Sequence, residues 1–125
     1  MNQKCPIDVT VVTEYLPRQS DPYKQQFAFA YHITITNRGD KAAQLISRHW
    51  IITDGNDTTR EVQGLGVVGE QPLINPGDNY QYTSGVVLET EIGTMHGTYH
   101  MLSENGASFD APIPTFLLAI PNAIN

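Results

Sequence analysis

Between Phe27 and Ile35 the chain alternates without a break. Phe27, Phe29, Tyr31, Ile33 and Ile35 are large and apolar; Ala28, Ala30, His32 and Thr34 between them are small or polar. Successive side chains of a strand point to opposite faces, so this run predicts a long strand with one face in a core. Ile7, Val9 and Val11 repeat the pattern around Asp8 and Thr10. Further strands are expected at 43–53, 58–65, 79–84, 94–102 and 113–119, and no window carries the period of about 3.6 residues that marks an amphipathic helix. Asn37-Arg38-Gly39-Asp40, Asp54-Gly55-Asn56-Asp57, Pro76-Gly77-Asp78-Asn79 and Glu104-Asn105-Gly106 supply turn chemistry between the runs, because Gly, Asn and Asp tolerate positive φ. Segment 16–26, polar with two prolines, reads as a loop.

About seven short strands with frequent turns predict an all-β fold, a two-sheet antiparallel sandwich of the immunoglobulin or fibronectin type III kind. The length of 125 residues fits one domain over 1–125, with 1–5 and 121–125 expected to fray. In Ile74-Asn75-Pro76-Gly77-Asp78-Asn79-Tyr80 a Pro-Gly turn precedes a strand-opening tyrosine. That arrangement suggests a tyrosine corner, with the Tyr80 hydroxyl bonded back to upstream backbone. Trp50 is the only tryptophan, and alternation places it between the sheets with Ile46 and Ile52, with Leu45 and Ile51 on the other face. The same alternation puts Arg48 on the Trp50 face, so its guanidinium must snorkel or lie across a ring.

From this run onward the sequence resembles the ApaG family, also called CorD. The resemblance is carried by Arg48-His49-Trp50-Ile51-Ile52-Thr53-Asp54, by Val62 to Pro72 (Val-Gln-Gly-Leu-Gly-Val-Val-Gly-Glu-Gln-Pro) and by Pro76-Gly77. It continues through Tyr82-Thr83-Ser84-Gly85, Gly93 to Tyr99 and Ile113-Pro114-Thr115-Phe116. It implies a fibronectin III-like sandwich and a genetic link to cobalt and magnesium efflux or resistance. Members fused to F-box and other eukaryotic proteins imply an interaction module. No catalytic residues come with the resemblance.

Thirteen acidic residues face seven basic ones, for a net charge of −6. This opposes non-specific binding to nucleic acid or an anionic membrane, both of which need a basic face. One cysteine, Cys5, allows no intrachain disulfide and fits a reducing compartment. With no signal-like start and no membrane-length apolar run, a cytoplasmic protein without membrane insertion is expected.

Gly64-Leu65-Gly66-Val67-Val68-Gly69 matches G-x-G-x-x-G. A dinucleotide site needs those glycines between a strand and a helix N-terminus. Glu70-Gln71-Pro72 follows instead, so a glycine-rich strand end or bulge is the first reading and a pyrophosphate loop at Gly64, Gly66 and Gly69 the alternative. A concave, positively lined pocket at residues 64–69, with Arg48 or Arg60 pointing in, would mark the alternative, and a flat acidic surface there would mark protein binding.

His96 and His100 lie too far apart along one strand to share a metal ion, roughly 13 Å; His32 or His49 could meet one of them across a sheet. Asp54, Asp57 and Asp78 sit in loops where magnesium could bind weakly. Ser84 and Cys5 lack a local base, and Glu89 and Glu91 share a strand face near a loop without further support. No cofactor and no enzymatic activity are therefore expected. The expected function is binding an unidentified protein partner, through segment 64–69 or a loop at 85–97. Homo-oligomerisation through exposed strand edges stays open.

Overall fold

In the computed structural model, which describes residues 5–123, eight strands follow one another. They are β1 (Ile7–Tyr15), β2 (Phe27–Asn37), β3 (Ala43–Asp54), β4 (Thr59–Leu65), β5 (Leu73–Ile74), β6 (Asn79–Leu88), β7 (Ile92–Ser103) and β8 (Ser108–Ala119). One sheet has the order β1-β2-β6; the other has β4-β3-β7-β8, with β5 also pairing to β3. All pairings are antiparallel. The expected two-sheet sandwich is what forms. The fraying expected at 1–4 and 124–125 lies outside the described residues, whereas residues 121–123 make a turn closed by the Ala123 amide on the Ile120 carbonyl.

The alternating run explains why β2 lies mid-sheet. Phe27, Phe29, Tyr31, Ile33 and Ile35 face the second sheet and are buried. Ala28 and Ala30, on the opposite face, are buried as well. Segment 16–26 folds back there: the Leu16 amide donates to the Ala28 carbonyl, and the Ala28 amide donates to Ser20 Oγ at 2.8 Å. Small side chains are what that approach permits. The segment is more ordered than a polar loop suggests, with single 3-10 turns at Pro17–Gln19 and Pro22–Lys24, each opened by a proline. No helix among the described residues is long and apolar enough to cross a membrane.

Trp50 fills the middle of the core as expected. Its ring meets those of Tyr31, Tyr99 and Phe116 edge-on at centroid distances of 5.4, 6.3 and 5.8 Å. The face assignment around it needs one correction. Register along β3 slips between Leu45 and Ser47. This bulge at Ile46 inverts the parity before it, so Leu45 joins Trp50 and Ile52 inside the core and Ile46 is only half-buried.

The tyrosine corner is also corrected. Tyr80 points inward at the sheet end, and its hydroxyl bonds no described residue. Asn37, fully buried, holds the crossover instead. Its Nδ2 donates to the carbonyls of Lys41 (2.8 Å) and Ile74 (2.9 Å), and its Oδ1 accepts from the Gly39 amide (2.9 Å). Its backbone clasps the Pro76-Gly77 turn, giving its amide to Asp78 and accepting from Gly77.

The loop expected at 85–97 does not exist as such. Residues 85–88 complete β6, 92–97 open β7, and only 89–91 connect them. Gly97, inside the strand expected at 94–102, is a close-approach site: a Cβ there would lie 2.1 Å from the His49 carbonyl oxygen. β8 begins at Ser108, five residues earlier than expected, and carries Pro112 and Pro114 because it pairs only with β7 in its sheet.

Candidate functional site

The glycine-rich segment ends β4 and turns tightly. Val67 and Glu70 exchange both backbone hydrogen bonds, at 2.8 and 2.9 Å, around Val68 and Gly69. Both central residues have positive φ, 43° and 82°, as a two-residue hairpin turn of the primed type requires. Gly66, at φ 63°, packs so close to the Glu70 carbonyl that a Cβ would reach 2.3 Å from its oxygen. Gly64 clears space for Arg48, whose guanidinium lies over it. Arg48 Nη1 donates to the carbonyls of Leu65 (3.1 Å) and Gly66 (3.0 Å). Each glycine of the motif therefore has a structural task. The amides of Gly66, Val67 and Glu70 are already donated, to Ile46, Glu70 and Val67. A phosphate cradle needs such amides free.

What the segment does present is apolar surface. Leu65, Val68 and Leu73 are 75%, 55% and 61% exposed. Leu73 and Leu102 flank Gln44 on either side, and Leu65 pairs with Ser47 farther along β3. Past the bulge at Ile46 these positions share the outer face of the five-stranded sheet, at the end where β4 turns into β5. Val68 adds a second anomaly. A β-branched residue is disfavoured at positive φ, yet it stands at the turn tip with its side chain in solvent.

A family model described as the ApaG domain matches residues 17–103. The chain belongs to the ApaG family. The protein ApaG of Aromatoleum aromaticum is 53% identical over 124 residues, covering 99% of this chain and 98% of that one. The protein ApaG of Pseudomonas paraeruginosa is 59% identical over 119 residues, covering 95% and 94%. A crystal structure of an ApaA protein from Bordetella pertussis superposes with a TM-score of 0.90 at 58% identity, covering 93% of this chain and 94% of that chain.

In this ApaG-family chain the histidines separate. His49 Nε2 contacts Glu61 Oε1 at 2.7 Å, and His100 Nδ1 contacts Asp110 Oδ1 at 3.0 Å; both lie on the outer face of the five-stranded sheet. His96 pairs with Ile51 on that face, so His49 stands diagonally between His96 and His100. His32 belongs to the other sheet, with Glu14 and Thr83, and meets none of them. Among the described residues no group of three or more His, Cys, Asp or Glu is placed to hold a metal ion.

The loop carboxylates are likewise apart. Asp54 Oδ1 accepts from the amides of Asn56 and Thr58, organising the β3–β4 turn, and Asp57 sits in that turn. Asp78 lies at the opposite end of β3, next to the β5 pairing. Glu89 and Glu91 occupy the short β6–β7 turn and not a strand face. Cys5 is exposed, and Ser84 lies on β6 facing the second sheet, its hydroxyl bonding no described residue.

One polar contact crosses the core itself. The hydroxyls of Tyr82 and Tyr99 meet at 2.5 Å. Burial pushes both phenols well above the ordinary tyrosine range. They are structural groups at neutral pH, held in the acid form.

Proposed function

We propose that this chain is a non-enzymatic interaction module that binds a protein partner through the apolar end of the five-stranded sheet. One observation carries this reading: Leu65, Val68 and Leu73 are exposed together around a turn whose backbone holds Val68 at an unfavourable φ. Exposed apolar side chains along an edge strand suit association, and local strain retained at an exposed tip suits function better than stability. The family link to cobalt and magnesium efflux or resistance is, in this reading, indirect and exerted through the partner, in the cytoplasm.

A pyrophosphate loop at Gly64, Gly66 and Gly69 is the weaker alternative, because the amides of Gly66, Val67 and Glu70 are already donated to backbone carbonyls.

Complementation tests the proposal. A strain lacking its own ApaG-family gene is challenged with cobalt, carrying either the wild-type chain or Leu65→Lys/Leu73→Lys. Both residues are solvent-exposed, so the variant should fold. The wild type is expected to restore tolerance and the variant not. Full restoration by the variant, or heat on titrating the purified chain with cobalt, would overturn the reading.

A further inference from the structure

The sandwich closes on one side, where β1 packs against β8 and Thr13 Oγ1 donates to the Leu117 carbonyl. On the other side the sheets end in β4 and β6, and a cleft of about 390 Å³ opens between them. That volume is within the range of small-molecule sites.

The charges lining this cleft are unbalanced. Arg48 and Arg60 both reach it and no carboxylate does. Neither arginine has an ion-pair partner among the described residues, although acidic residues outnumber basic ones in the chain. Arg48 spends only Nη1 on backbone carbonyls. Arg60 spends only Nη2, on the Val87 carbonyl across the mouth at 2.7 Å. Asp54 and Glu89 line a different hollow, which also holds Arg60 and Lys24.

Between the two positive heads the surface is apolar. Arg60, Val62 and Gly64 alternate along the inner face of β4, Gly64 lies beneath Arg48, and Val62 pairs with Trp50. Positions 60 and 64 are roughly 13 Å apart along a strand. Trp50 also lines the cleft, and its indole nitrogen bonds no described residue. Only 2% of Trp50 is exposed, so it forms the floor of the cleft beneath Val62.

We propose that this cleft binds a small organic oxyanion, a phosphate ester or carboxylate with a flat apolar body. The oxyanion takes the free guanidinium donors, displacing Arg60 from the Val87 carbonyl, and the body lies on Val62 over Trp50. Charge-assisted bonds from a guanidinium are the strong and directional kind that such a group needs. The site is on the inner face of the sheet and does not rest on the partner-binding patch, which is on the outer face.

The test is a titration of the isotope-labelled full chain, followed by NMR, with phenyl phosphate, phenylacetate and inorganic phosphate up to about 10 mM, above the millimolar Kd that a few such contacts give. Phenyl phosphate or phenylacetate should shift the Trp50 indole N–H and the Val62 and Val86 amides saturably. The better of the two identifies the oxyanion. Inorganic phosphate should bind at least about tenfold more weakly, and Arg60→Gln should weaken the organic probe about tenfold, with Tm reporting that the variant is folded. No saturable shift with either organic probe, equal affinity for inorganic phosphate, or binding untouched by Arg60→Gln would overturn the proposal.

Discussion

The hydroxyls of Tyr82, on β6, and Tyr99, on β7, are each other's hydrogen-bond partner across the sandwich. They tie the three-stranded sheet to the five-stranded one inside an otherwise apolar core. Removing one hydroxyl leaves the other buried and unpaired. Tyr82→Phe should therefore cost about 1–3 kcal/mol, whereas Tyr82→Phe/Tyr99→Phe should recover much of that loss. Urea denaturation of the two single variants and the double variant checks this coupling.

The same pair sets an alkaline limit. Both phenols titrate higher in the fold than the ordinary value of 10.0. A raised folded value means the unfolded chain releases its protons first. The stability from this pair is thus complete below pH 10 and falls as pH rises beyond it, by up to about 1.4 kcal/mol per pH unit for each phenol. Unfolding midpoints between pH 8 and 11 should show the decline in the wild type and a flatter curve in the double phenylalanine variant.

Asn37 should be the most sensitive polar position. Its side chain satisfies two backbone carbonyls and one amide at the crossover. Asn37→Ala should cost about 3 kcal/mol or more, since it strands buried backbone groups as well as losing bonds. Thermal unfolding reads the effect directly.

The alternation of β2 is legible in sequence because both sheet partners and the second sheet demand it at once. Trp50 is legible for the same reason. The parity before Trp50 is not, because the bulge at Ile46 leaves no composition signal. Gly97 in a strand and Gly66 in a turn look alike as letters, so the close approach that Gly97 permits is not legible in the sequence. Asn37 precedes Arg38-Gly39 and reads as an ordinary turn residue; only its place at the end of the longest alternating run hints that it is buried. The apolar patch was half legible. Segment 64–69 stands out by its glycines, but its exposed partner Leu73 is recognised only once the register of β5 on β3 is known.

Val68 separates stability from binding. An Asn-Gly turn is the favoured sequence at two positive φ values, so Val68→Asn should stabilise the chain by about 0.5–1 kcal/mol. The same change removes exposed apolar surface and should weaken partner binding. A rise in Tm together with a loss of captured partner is the expected pair of results.

The most direct measurement is quantitative capture from native lysate with two baits, the wild-type chain and Leu65→Lys/Leu73→Lys, each shown to be folded by its Tm. At least one protein should be enriched by the wild type and fall at least about tenfold with the variant, with or without a metal chelator. Identical protein sets on both baits, or no protein above background on the wild type, would contradict a partner-binding role for the apolar end of the sheet.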